Sequence, residues 1–165
     1  MPKQSVSAKK HFIPSKIISG GQTGVDRAGL DAAIFAKIEI GGYVPKGRLS
    51  EDGRVPEKYL MTETPSDDYP QRTILNVKSS DATLILYREK FNGGTKFTYE
   101  CCIENNKPVF CVDIFSESLL CNEMIISFLK QHKPAVLNIA GPRESNSPGI
   151  YDAALKILKS VFNGR

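Results

Sequence analysis

At 165 residues and 18.2 kDa, with 41% hydrophobic and 24% charged side chains, the chain has the size and make-up of one water-soluble domain. A domain of that length buries roughly 70% of the surface its unfolded form exposes. No apolar stretch reaches the roughly 18 to 20 residues that span a bilayer, and the first residues lack the apolar centre of a signal peptide, so a cytoplasmic protein with no membrane partner is expected. The net charge of +4 sits in Lys3, Lys9, Lys10 and Lys16, while residues 17–165 balance 18 basic against 18 acidic groups. A nucleic-acid partner asks for a basic face on the folded body and is disfavoured.

Residues 1–15 are polar, basic and aperiodic, and read as a flexible arm ahead of a single ligand-binding domain over residues 16–165. Residues 16–19 read as a strand. Residues 24–37 read as a helix in which Val25, Ala28, Gly29, Ala32 and Ala36 make a small-residue face. Residues 38–43 are a second strand, residues 45–58 a long Pro- and Gly-bearing loop, and residues 59–63 a candidate third strand. Residues 72–80 follow as a helix, and ATLILY at 82–87 is apolar throughout, as a strand covered on both faces must be. Helices over 95–105, 118–131 and 148–162 alternate with strands over 108–114 and 135–140; Ser147 is placed as the last helix's N-cap and Pro148 at its first position. This rhythm predicts an α/β fold: a Rossmann-like three-layer domain with a mostly parallel sheet flanked by helices.

Three glycine-bearing loops each follow a strand and open a helix: GGQTG at 20–24, NGGT at 92–95 and GPRESNSPG at 141–149. In a parallel sheet they share the rim at the strands' carboxyl ends, where helix N-termini offer N–H groups to anions. A phosphate-binding loop is the functional reading. The bland alternatives are a Thr23/Asp26 capping pair in the first loop, a capped helix start in the second, and an Arg143–Glu144 surface pair in the third. GGQTG is neither GxGxxG nor a triphosphate P-loop, and GGYVPKG lacks the acid that takes the ribose of NAD, so an ATPase and a dehydrogenase are both disfavoured. Lys46, Arg48 and Arg54 read either as partners of a further anionic group or as a solvated charged loop.

Cys101, Cys102, Cys111 and Cys121 form no CxxC pair, and His11 and His132 have no ligand-like spacing. Reduced cysteines, no metal site and no catalytic nucleophile are expected.

The blocks SGGQTGVDRAGLDAA, GGYVPKGRLSEDGRVPEKY, RTILNVKSSDATLI, NGGTKFT and LNIAGPRESNSPGI together resemble the putative molybdenum carrier family, from Ile17 to the last helix. The resemblance implies a Rossmann-like domain, usually a homo-oligomer (dimer or tetramer), that holds the molybdenum cofactor (molybdopterin) without transforming it. It assigns cofactor binding to Gly20, Gly21, Gln22, Thr23, Gly24, Arg27, Lys46, Arg72, Gly93, Gly94, Thr95 and Arg143. A wider similarity joins the chain to nucleotide-sensing proteins and phosphoribohydrolases. The latter place a catalytic glutamate where this chain has Thr98; Glu100, the nearest acid, lies about 200° further round the helix. The expected partner is thus a small anionic phosphorylated ligand, and the expected function non-catalytic binding or carriage. A nucleotide-binding protein or a nucleoside-monophosphate phosphoribohydrolase-like enzyme is the alternative.

Overall fold

The computed structural model describes residues 10–164. In chain order the elements are β1 (Lys16–Ile18), α1 (Val25–Phe35), β2 (Glu39–Gly41), β3 (Tyr43–Val44), a 3-10 turn (Lys46–Arg48), β4 (Leu49–Ser50), β5 (Gly53–Arg54), β6 (Thr62–Glu63), α2 (Tyr69–Lys78), β7 (Ala82–Tyr87), α3 (Gly93–Glu104), β8 (Val109–Asp113), α4 (Ser118–His132), β9 (Val136–Ala140) and α5 (Ile150–Phe162).

Five strands pair in parallel in the order β2-β1-β9-β7-β8. Ile17 lies between Ile40 and Leu137, and Leu84 between Ile139 and Phe110. Leu84, Ile85 and Leu86 are fully buried, because helices cover both faces of the sheet. α5 packs against α1 and α4 on one face, while α2 and α3 pack together on the other, where Val77, Cys101 and Cys102 form a separate core cluster. Small residues on α1 permit a close approach: a Cβ on Gly29 would meet Ile139 at 3.0 Å. The fold is thus the Rossmann-like three-layer α/β domain that the rhythm of the sequence predicts. From β1 the chain moves outward to β2, and from β7 outward to β8 on the other side, so the order reverses around β9. A crevice opens at such a switch point, beyond the strands' carboxyl ends.

Several boundaries differ from expectation. Residues 1–9 of the expected arm lie outside the described residues. Further on, His11 Nε2 sits 2.7 Å from Val161 O, and Phe12 and Ile13 pack on the core, so the packed body begins before residue 16. The second strand divides at Gly42, whose φ of +123° turns the chain; β3 then pairs with β6 in a separate two-stranded sheet. The stretch 45–58 is folded rather than a bare loop. Arg48 is 6% exposed, and its guanidinium donates to the carbonyls of Val55, Pro56 and Tyr59, wrapping the β4–β5 ribbon around it. Arg54 turns to Glu57, so neither arginine is free to take an anion. All four cysteines are free thiols, and no helix among the described residues is long and apolar enough to cross a membrane.

Candidate functional site

A cleft of about 440 Å³ opens at the carboxyl ends of β1, β9 and β7. Gly20 and Gln22 line it from the first glycine loop, Tyr69, Arg72 and Asn76 from α2, Phe91 to Thr95 from the second loop, and Gly141 to Arg143 from the third. Among the described residues its charged lining is Arg72, Arg88, Lys90 and Arg143 against the single carboxyl of Asp26, a net cationic wall. Tyr69 lies under two of these cations, with the guanidinium carbons of Arg72 and Arg143 at 5.1 and 5.5 Å from its ring centre. Phe91 packs edge-on to Tyr87, at 5.0 Å between centres, and adds an aromatic wall.

The second glycine loop leaves its backbone N–H groups open. Asn92 makes no side-chain cap on α3, so the N–H groups of Gly93, Gly94 and Thr95 have no acceptor among the described residues. A Cβ built on Gly93 or Gly94 would meet nothing within 4 Å, which leaves the backbone open to a ligand. The positive end of the α3 dipole points at that opening.

The first glycine loop is organised differently. Three of its N–H groups are already bonded, Gly21 to Ser19 Oγ, Gln22 to Asp26 Oδ2 and Thr23 to Gln22 Oε1, and the N–H of Val25 just after it goes to Pro142 O. Thr23 does not cap α1 with Asp26; its hydroxyl bonds Glu51 and accepts the N–H of Glu144. Arg27 points away from the cleft, with both Nη atoms on the Asp52 carboxylate at 2.5 and 2.7 Å, and its Nε–H donates to Gly21 O. Of the twelve expected binding residues the structure brings Gly20, Gln22, Arg72, Gly93, Gly94, Thr95 and Arg143 to one cleft. Gly21, Thr23, Gly24 and Arg27 lie behind it as scaffold, and Lys46 is exposed and does not line the cleft.

The β4–β5 ribbon fastens this scaffold. Glu51 accepts the Ser145 N–H and hydroxyl and the Thr23 hydroxyl, stands 4.0 Å from Arg143, and donates its own N–H to Gln22 Oε1 at 2.9 Å. Burial pushes its carboxyl upward, but these hydrogen bonds and Arg143 outweigh that and hold it below the usual range. Glu144 is not the partner of Arg143. Its carboxylate caps α5 by accepting the N–H groups of Gly149 and Tyr151, and that helix starts at Ile150 after Gly149 (φ +88°), not at Ser147 and Pro148.

Arg72 and Asp26 lie at the floor, 8% and 7% exposed. Arg72 donates to Gly20 O, and its Nη1 stands 4.0 Å from Asp26 Oδ2. A Cβ on Gly20 would fall 2.2 Å from that nitrogen, so the glycine makes room for the guanidinium. Burial raises the Asp26 carboxyl from 3.8 to about 6, against the pull of Arg72, the Gln22 N–H, Arg27 and Arg143. Tyr69, Asp26, Asn138 and Phe91 also line the cleft and were not among the expected binding residues. Only Asp26 carried a sequence signal, and that signal read as a cap. Thr98 faces the cleft and donates to Gly94 O at 2.9 Å, whereas Glu100 is exposed near Lys96. No carboxylate stands where the phosphoribohydrolases carry theirs.

Residues 17–162 match the circularly permutated YpsA SLOG family. The chain belongs to that family. A crystal structure from Syntrophus aciditrophicus, described as a putative molybdenum carrier protein, is 45% identical. It superposes with a TM-score of 0.88 over 93% of this chain and 97% of its own. No curated protein matches. The cleft described above is a cation-lined pocket with an aromatic wall at the sheet's switch point, of a volume that suits a small organic ligand.

Proposed function

We propose that the chain is a non-catalytic binding or carrier protein whose cargo is a phosphorylated heterocycle, with the molybdenum cofactor as the leading candidate. The observation that carries this reading is the uncapped, side-chain-free start of α3 facing the same cleft as Arg143 and the Tyr69 and Phe91 rings. A phosphate accepts hydrogen bonds from the Gly93 to Thr95 N–H groups and pairs with Arg143, and a flat ring lies along the aromatic wall. The name borne by the 45% identical neighbour supports molybdenum as part of the cargo. The open start of α3, Arg143 and the Tyr69 and Phe91 rings fit the organic part of such a cargo, its phosphate and its ring.

The test is equilibrium binding of the cofactor, freshly released from a molybdenum enzyme, to the wild type and two variants. Arg143→Ala removes a charge-assisted pair and should weaken binding by roughly ten- to a hundredfold. Gly94→Leu fills the open backbone site and should abolish binding. It should also hold or raise stability by up to about 1 kcal/mol, since glycine inside a helix is unfavourable. Unchanged affinity in both variants would place the ligand elsewhere.

A further inference from the structure

The floor of the cleft carries one donor and one acceptor that the fold itself leaves unspent. Gln22 is 5% exposed. Its Oε1 accepts the N–H groups of Thr23 and Glu51 at 3.1 and 2.9 Å, which fixes the amide's orientation and leaves Nε2 as the other end. That nitrogen is buried without a hydrogen-bond partner among the described residues. A buried donor left unmatched is costly, and in a cleft it marks the place of a ligand acceptor. Asp26, on the same cleft, accepts the Gln22 backbone N–H on Oδ2 at 3.2 Å, while its Oδ1 accepts nothing from the described residues. Both side chains line the cleft, and both are more than nine-tenths buried.

We propose that Gln22 and Asp26 together read the edge of the cargo's ring, and that this edge is a 2-amino-4-oxopyrimidine, the one shared by guanine and the pterins. The inference rests on the preceding reading that the cleft takes a phosphorylated heterocycle. The ring carbonyl accepts from Gln22 Nε2, and the ring N–H and the exocyclic amino group both donate to the Asp26 carboxylate. An adenine edge pairs an acceptor nitrogen with a single amino donor, and a hypoxanthine edge lacks the amino group. Each leaves the carboxylate one bond short. Arg72 is then a positioning residue. It is held by Gly20 O and stands 4.0 Å from Asp26, so its charge serves the floor while the phosphate sits at α3 and Arg143.

The experiment is calorimetric titration of the full chain with guanosine, inosine and adenosine 5′-monophosphates and with 6-hydroxymethylpterin phosphate. It is repeated on Asp26→Asn and on Gln22→Glu, which keeps the Oε1 acceptor and replaces the donor; thermal unfolding checks that both variants fold. The wild type should bind the guanosine and pterin phosphates roughly tenfold or more tighter than the inosine and adenosine phosphates, the value of one hydrogen bond to a charged group. Asp26→Asn should bring guanosine and inosine phosphates to within about twofold of each other, a loss of discrimination that a merely structural role would not produce. Gln22→Glu should weaken both of these carbonyl-bearing ligands. Equal binding of all three nucleotides, or a guanosine preference that survives Asp26→Asn, overturns the edge assignment and leaves the phosphorylated-heterocycle reading standing. Failure of all four ligands to bind overturns that reading and this inference with it.

Discussion

Gly24→Ala should cost about 3 kcal/mol of stability, read as a fall of roughly 6 to 12 °C in Tm. Two effects add at this position. The φ of +80° and ψ of −129° lie where side chains are strained by about 1 to 3 kcal/mol. A Cβ there would also stand 2.4 Å from Pro142 O and 2.8 Å from the Glu144 nitrogen, so the first and third loops would have to part. Parting them breaks the Val25 N–H bond to Pro142 O and moves Arg143 with its loop. Gly47→Ala is the control. Its φ of +77° carries the same sign, but nothing lies within 4 Å of the added carbon, so only a left-handed cost of about 1 kcal/mol is expected. Equal losses in the two variants would show that the loop clamp contributes nothing.

Asp26→Asn should stabilise the protein near neutral pH, and by more as pH rises. The folded carboxyl titrates at about 6 and the unfolded one near 3.8, so between those values the folded protein holds a proton that the unfolded chain has released. Stability from this group is therefore fully present below the unfolded value and is lost as pH rises through about 6. Its full loss is about 3 kcal/mol at 1.36 kcal/mol per pH unit of difference. Asparagine stays neutral and still offers an oxygen to the Gln22 N–H. Urea unfolding at pH 4.5 and 7.5 should show the variant's advantage growing by about 2 kcal/mol. An advantage that does not change with pH would mean that Asp26 is ionised throughout, held by Arg72. A buried charge that costs stability in the free protein suits a group whose partners arrive with a ligand.

The sheet and its helices were legible because their signals are local. ATLILY is apolar on both faces wherever it sits, and the small-residue spacing of α1 needs only its own sequence. The glycine loops were legible as a shared rim for the same reason, but not which of them faces a ligand. GGQTG turns inward because Ser19, Asp26 and Gln22 side chains take the N–H groups of Gly21, Gln22 and Thr23, while Pro142 O takes that of Val25; three of these four partners depend on side-chain orientation and the fourth lies 117 positions along the chain. Arg27 and Arg48 look like anion ligands on paper. Their fates were decided by Asp52 and by the carbonyls around Tyr59, through the ribbon that the prolines and glycines of 45–58 conceal. The start of α2 at Tyr69 was hidden by Pro70, which is tolerated in a first turn although it breaks a helix further in. Ser147 and Pro148 imitate a helix start that Glu144 in fact caps.

The most direct test of the central claim is native mass spectrometry on protein purified gently from its own source, with elemental analysis for molybdenum and Gly94→Leu carried in parallel. The wild type should carry a phosphorylated pterin with stoichiometric molybdenum, and the variant should carry neither. A wild type with no phosphorylated heterocycle, or an adduct that Gly94→Leu retains in full, would contradict the assignment of this cleft as the cargo site.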